Sequence, residues 1–276
     1  MKRIITVALC LVLVLTALTA LANEKITIGA TATPHAIVLE KIKDNLKKAG
    51  YDLVIEEFSD YNLPNPATSG GDLDANYFQH LPFLNAYNQE VSEKDQLVAV
   101  IPVHYEPFGI YAGAKDSLDA LKEGDHIAIS NDPSNETRAL LLLQDAGLIK
   151  LKDGITPDSK ATALDVAENP KGLVIDEVNA ELVPTVLPDV ALAVINGNYA
   201  LKAGLNPAKD ALFLEPKEGE AGKTYTNYIV VRAADAEKPF VEALRKALET
   251  QEVYDFLLNN EEFKGGVIPA FDPLNK

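Results

Sequence analysis

The chemistry most legible in this chain is anion capture. The segment Asn131-Asp132-Pro133-Ser134-Asn135-Glu136-Thr137-Arg138 runs directly into Ala139-Leu140-Leu141-Leu142-Leu143. Ser and Asn cap free backbone N–H groups and Pro fits a first turn, so the spacing predicts a helix start followed by a buried helix. A helix N-terminus carries unpaired donors and partial positive charge. Arg138, expected within the first turn, has the planar geometry to hold a carboxylate through two parallel hydrogen bonds. Nothing in the segment is a nucleophile or a base. The same eight residues also fit an ordinary capped helix with a surface arginine.

A second cluster has the makings of an apolar pocket. Asn76-Tyr77-Phe78-Gln79-His80-Leu81-Pro82-Phe83 gathers three aromatic rings and a histidine, with Tyr61 in a loop upstream. Such rings accept an apolar side chain, and Tyr61 and His80 add polar edges; core packing is the competing reading. Asn196 and Asn198 follow a strand-like run, and Asn227 opens another. An asparagine at a strand end offers a carbonyl and an amide together, which suits a zwitterion as well as it suits a turn.

Other chemistries lack support. His35, His80, His104 and His126 are scattered, with no pair at metal-ligand spacing, so no metal and no cofactor is expected. There is no Gly-x-Ser-x-Gly, and Gly219-Glu220-Ala221-Gly222-Lys223-Thr224 fails as a phosphate loop because Lys217 stands where the first Gly belongs. No catalytic residue is assigned. An exported hydrolase using His80 or His104 is the alternative of another class. The net charge of −16 argues against a nucleic-acid partner.

Met1-Lys2-Arg3, the apolar run from Ile4 to Leu21 and the small-x-small Ala20-Leu21-Ala22 predict a cleaved signal peptide over 1–22 and a periplasmic location. Cleavage would remove Lys2 and Arg3 and take the charge to −18. Cys10, the only cysteine, lies inside that run behind the large Leu9. A lipid anchor is therefore not expected.

The elements that must position these residues alternate. Strands are expected from Lys25 to Thr33, Leu53 to Phe58, Gln96 to Pro102, Gly109 to Ala112, His126 to Ser130, Val190 to Ile195 and Asn227 to Arg232. Helices are expected after Thr33-Pro34, over Leu118 to Gly124, after Asn131 and over Lys238 to Asn259. The stretch Ala75 to Ser92 reads as helical or mixed, Leu164 to Glu168 as a short helix, and Ser59 to Leu73 as loop. The class is α/β with mainly parallel sheets.

Taken in order, Ser59-Asp60-Tyr61, Asp74 to His80, Asn131 to Leu143, Ala193-Val194-Ile195-Asn196 and Asn227-Tyr228-Ile229-Val230 resemble the NlpA/MetQ family of methionine-binding lipoproteins of bacterial ABC importers. The resemblance spans about Ile26 to Phe271. It implies a periplasmic-binding-protein fold: two α/β lobes joined by two crossing segments, near Phe108–Ala112 and Tyr228–Arg232, with a ligand cleft between them. Lobe one would comprise 25–110 and 229–276, and lobe two 111–228. The family's pattern places the thioether among Tyr61, Phe78, His80 and Phe83, and the carboxylate at Arg138. The amino group and remaining carboxylate contacts fall to Asn196 and Asn227. It implies a monomeric receptor that is not an enzyme, binds L-methionine or a related amino acid, and meets an inner-membrane permease. The same fold binding another apolar amino acid or a short peptide is the nearer alternative.

Overall fold

Two β-sheets, each with its own apolar core, divide the chain. The computed structural model describes residues 23–216, 219–263 and 265–274; the expected signal peptide and Cys10 lie outside the described residues. In chain order the first lobe contributes β1 (Glu24–Thr31), α1 (Ile37–Lys48), β2 (Tyr51–Phe58), α2 (Pro64–Gly70), β3 (Ala75–His80), α3 (Leu81–Glu90) and β4 (Leu97–Tyr105). The second contributes β5 (Gly109–Ala112), β6 (His126–Ser130), α4 (Pro133–Asp145), the short pair β7 (Lys150–Leu151) and β8 (Val166–Glu168), β9 (Val174–Val178), β10 (Leu192–Ile195), α5 (Gly197–Lys202) and β11 (Ala211–Leu214). The chain then returns with β12 (Thr226–Arg232), α6 (Pro239–Leu248), α7 (Gln251–Asn259) and β13 (Ile268–Pro269).

The first sheet has the order β13-β4-β12-β3-β1-β2, and the second β11-β5-β10-β6-β9. β1 runs parallel to β2 and β3, and β6 runs parallel to β9 and β10. β12 is antiparallel to both β3 and β4, and β5 to both β10 and β11. The sheets are thus mixed rather than mainly parallel. β13 is also antiparallel to β4, and the other two reversed strands, β5 and β12, are those by which the chain enters a sheet from the other lobe. Strand, helix and strand built in succession tend to run parallel; a strand arriving from outside carries no such constraint.

The chain therefore passes between the two sheets through 106–108 and, among the described residues, through 215–216 and 219–225. The segments expected to cross, Phe108–Ala112 and Tyr228–Arg232, are largely strands within one sheet. Three local expectations also change. The expected loop over 59–73 holds α2, the helix expected over 118–124 is a single turn at Leu118–Ala120, and that expected over 164–168 is the end of a single turn followed by β8; the stretch read as helical or mixed after Ala75 is mixed, β3 followed by α3.

Ile26, Ile28, Ile42, Leu46, Ile101, Ile229 and Leu244 pack in the first core, and Ile110, Ile127, Ile129, Leu140, Leu143 and Val194 in the second. A third cluster bridges the lobes: Tyr61 and Phe78 pack with Tyr111, Ile195 and Tyr199. The register of the first sheet sets Asn227 opposite both His80 and His104, so three polar residues form one row at the edge facing the second lobe.

Gly29 shows how tightly β1 is packed. A Cβ there would lie 2.5 Å from Leu73 Cδ1 and 2.9 Å from Phe58 Cε2. Gly29→Ala is expected to destabilise the protein by about 1–3 kcal/mol through overpacking. A urea titration with an unchanged midpoint would contradict that packing.

Candidate functional site

The site is built where the two crossings meet the start of α4. Asp132, rather than Ser134 or Asn135, caps that helix: its carboxylate accepts from Asn135 N (3.0 Å), Asn135 Nδ2 (2.9 Å), Ser134 Oγ (3.0 Å) and Ser130 Oγ (2.6 Å). The protein's own carboxylate thus occupies the helix tip. Arg138 is the sixth residue of α4, in its second turn, and its side chain is buried. Its Nε donates to Glu215 Oε1 (2.9 Å), and its Nη2 donates to Glu215 Oε2 (2.5 Å) and to the Glu106 carbonyl (2.9 Å). The fork expected to grip a ligand with two parallel bonds already grips Glu215. Nη1 alone has no hydrogen-bond partner among the described residues.

Glu215 is well supplied: Tyr105 Oη and Phe108 N also donate to it, each at 2.9 Å. Burial pushes the Arg138 pKa down, but Glu215 outweighs this and holds it above its ordinary value. The guanidinium lies 4.0 Å from the ring centre of Tyr225 and 4.8 Å from that of Phe108, stacking that stabilises a desolvated cation.

Tyr61, Phe78, His80, Phe83, Arg138, Asn196 and Asn227 all line one cavity. At one end Tyr61, Phe78 and Phe83 stand with ring centres 5.5–5.8 Å apart, and Tyr199 backs Tyr61 at 4.9 Å. The lobes are hydrogen-bonded across the cleft, with Tyr61 Oη donating to Asn198 Oδ1 (2.5 Å) and Tyr199 Oη to the Ser59 carbonyl (3.0 Å). His80 caps α3 by accepting from Phe83 N (3.3 Å) at Nδ1, which leaves its proton on Nε2 to donate to Asn135 Oδ1 (3.1 Å).

Glu106 and Glu215 are the residues that sequence reasoning missed; Asn135 was read only as part of the helix start, and Asn198, weighed beside Asn196, was left out of the expected contacts. A signal existed for the two carboxylates: Glu106-Pro107 and Glu215-Pro216 both follow strands, each a charged residue held extended by the next proline. At the polar end Asn135 is spent, its amide on Asp132 and its carbonyl on His80 and Asn196. Asn196 donates to Asn135 (2.9 Å) and keeps its carbonyl free. Asn198 keeps its amide free, and Asn227 accepts from His35 Nε2 (3.1 Å) and donates one amide N–H to the Tyr225 carbonyl (3.5 Å), which leaves the other N–H unspent. Among the described residues the unspent groups of the cavity are therefore the Asn198 amide, one N–H of Asn227, the Asn196 carbonyl, Arg138 Nη1 and Glu106 Oε2.

Behind Glu106 lies a buried polar chain. Tyr77 Oη donates to His104 Nδ1, and His104 Nε2 donates to Glu106 Oε1 (2.7 Å). Thr31 Oγ1 donates to His35 Nδ1 (2.7 Å), and His35 Nε2 lies 3.5 Å from Glu106 Oε1. His35, His104 and Glu106 have ligand-type atoms within 4.8 Å of one another. Those atoms are engaged with each other as a hydrogen-bonded chain rather than arranged around a gap for an ion.

The comparisons with known proteins follow this geometry. The model of the NlpA lipoprotein family matches residues 26–271. The chain belongs to the NlpA lipoprotein family. It is 42% identical to the D-methionine-binding lipoprotein MetQ of Escherichia coli K12, over 89% of this chain and 87% of that one. A nutrient-binding protein of Burkholderia cenocepacia, solved bound to methionine, is 43% identical with a TM-score of 0.83, covering 89% of this chain and all of that one. A periplasmic substrate-binding protein of an ABC transporter from Coxiella burnetii is 39% identical with a TM-score of 0.80, over 89% of this chain and 100% of that one. The family is one of transport receptors with two lobes and not of enzymes.

The lipoprotein family overturns the expectation that a lipid anchor is absent. That expectation weighed the large Leu9 and the place of Cys10 inside the apolar run, and such a local argument is outweighed by likeness along nearly the whole chain. Cys10, the only cysteine, is the one thiol available to a lipid.

The buried histidines give the protein a measurable acid response. Burial pushes His35 down to about 4 and His104 down to about 3. Burial, aided by the Arg138 charge, pushes His80 down to about 3. Unfolded, each titrates at 6.5. As pH falls below 6.5 the unfolded chain takes up protons that the native state refuses, so this stabilisation is lost on acidification. His80→Gln removes one such proton. Its stability is expected to fall by about 2 kcal/mol less than wild type between pH 7 and pH 5, measured by urea unfolding. Equal losses in the two proteins would contradict a buried neutral His80.

Proposed function

We propose that this protein captures methionine outside the cytoplasmic membrane and delivers it, as a single chain, to the permease of an ABC importer. The observation that carries the reading is the split character of the cavity. Three aromatic rings crowd one end, and an unspent cationic nitrogen and two amides face the other. A thioether is soft and polarizable and is held well at ring edges. A zwitterionic head needs donors and acceptors together once water is expelled, because unpaired buried charge is costly. The methionine-bound relative from Burkholderia cenocepacia and the methionine-binding relative from Escherichia coli support the same ligand.

In this reading the thioether lies among Tyr61, Phe78, His80 and Phe83. The carboxylate meets Arg138 Nη1 with the amide of Asn227, and Asn196 offers its carbonyl to the amino group. The cleft is closed by hydrogen bonds between the lobes, from Tyr61 to Asn198 and from Tyr199 to the Ser59 carbonyl, which favours one amino acid over a peptide. A hydrolase reading loses its candidates, since both nitrogens of His80 and both of His104 are engaged structurally. Binding works by population shift: the ligand bridges both lobes and favours the closed arrangement, which a permease can read.

Micromolar binding corresponds to about 8 kcal/mol. Calorimetry with L-methionine, D-methionine, leucine and glycyl-methionine is expected to rank a methionine enantiomer first. Arg138→Ala should weaken methionine by about 2–5 kcal/mol, because the ligand carboxylate and Glu215 both lose their positively charged partner. Undiminished affinity in that variant would refute the assignment.

A further inference from the structure

Of the cavity's unspent polar atoms, one is completely buried. Glu106 Oε2 has no hydrogen-bond partner among the described residues. The other carboxylate oxygen is fixed by His104, itself fixed by Tyr77, and its residue's carbonyl is fixed by Arg138. The head group is thus held in place with one oxygen unspent. Orphaned buried carboxylate oxygens are rare because the lost hydration is not recovered. Such an atom in a ligand cavity points to a missing donor.

The surroundings say what kind of donor. Arg138 does not pair with the Glu106 carboxylate, because its Nε and Nη2 are held by Glu215. One cation and one anion therefore remain side by side, linked only through the Glu106 main chain. An α-amino acid carries its two charges on one carbon and needs opposite charges at such close range. The space beside Oε2 is kept open by Gly197, where a Cβ would lie 2.6 Å from Glu106 Cβ and 2.8 Å from Oε2. The free carbonyl of Asn196, the preceding residue, gives a second acceptor for the same group.

We propose that Glu106 supplies the counter-charge for the ligand's ammonium group, so that the site selects an unsubstituted α-amino group. The inference rests on the proposed capture of methionine and adds to it a residue that sets specificity. It also gives capture a proton signature. The groups facing Glu106 are His35 ahead of α1, Tyr77 on β3, His104 on β4, Arg138 on α4, Tyr111 on β5 and Tyr61 from the loop after β2. Burial pushes the Glu106 carboxyl up to about 7, against the pull of His35 and Arg138. At pH 6 the empty site holds a proton there. An arriving ammonium favours the carboxylate and expels that proton, so affinity rises with pH up to neutrality and then levels.

The test is calorimetry on the purified protein with methionine, N-acetylmethionine and the des-amino analogue 4-(methylthio)butanoate. Each is run at pH 6 and pH 8 in two buffers of different ionisation heat. Wild type is expected to bind methionine at least 100-fold more tightly than either analogue and to release up to one proton at pH 6. Glu106→Gln turns a donor toward the ammonium. It should lose methionine affinity at least 100-fold, release no proton and no longer prefer methionine to the des-amino compound. Circular dichroism checks that the variant folds, and the wild-type ratios stand without it. Wild type that binds methionine and the des-amino compound alike, or Glu106→Gln that binds methionine as wild type does, overturns this inference and leaves methionine capture in place. Wild type that binds no amino acid overturns both.

Discussion

A guanidinium cannot be buried alone, and the ion pair between Arg138 and Glu215 is the constraint around which this molecule is arranged. Desolvating a cation of this kind is tolerable only with a well-oriented carboxylate and further hydrogen bonds. Here the carboxylate comes from the second crossing and a carbonyl from the first, while rings from both, Phe108 and Tyr225, flank the cation. One side chain of α4 thereby ties together the two places where the chain passes between lobes. The pairing also decides what remains for a ligand. Two edges of the fork are used, so the cavity receives a single nitrogen and the Glu106 carboxylate is left uncompensated.

How much of this could be read in the sequence follows from the range of the interactions. Strands and helices with clear periodicity, such as β1, α1, β6 and α4, were legible because their patterns are local. So was the aromatic cluster on β3 and α3, where Phe78, His80 and Phe83 crowd together in the chain and Tyr61 joins them by closing the cleft. Arg138 was singled out for the wrong local reason: the tip of α4 belongs to Asp132, and the arginine acts from the second turn. Its partner stands 77 residues away, and no local pattern announces such a pairing. The Glu-Pro dipeptides at 106–107 and 215–216 were the available signal, since a charge at the end of an apolar strand needs a reason. Strand direction was misjudged where β5 and β12 enter from the opposite lobe, because direction there depends on topology rather than composition.

The polar end of the cavity works by subtraction. Asn135 uses all its bonding capacity to hold His80, Asn196 and Asp132 in place. Asn196 and Asn198 each spend one end of the amide and leave the other unspent, while Asn227 spends its carbonyl on His35 and one N–H on the Tyr225 carbonyl, keeping a single N–H. Identical side chains thus present a carbonyl in one case and amides in the others, fixed by what stands behind them. This preorganisation lets a small cavity tell one polar head from another without large rearrangement. Membership of the NlpA lipoprotein family places the same architecture among receptors that serve ABC importers.

The central claim is that one nitrogen of a buried, already paired arginine takes the ligand's carboxylate while the rings take its sulfur. A crystal structure of the protein with methionine tests it most directly. The account predicts a carboxylate oxygen within about 3 Å of Arg138 Nη1, the Glu215 pairing intact, and the sulfur among Tyr61, Phe78 and Phe83. A ligand lying the other way round, or one that draws Arg138 off Glu215, would contradict it.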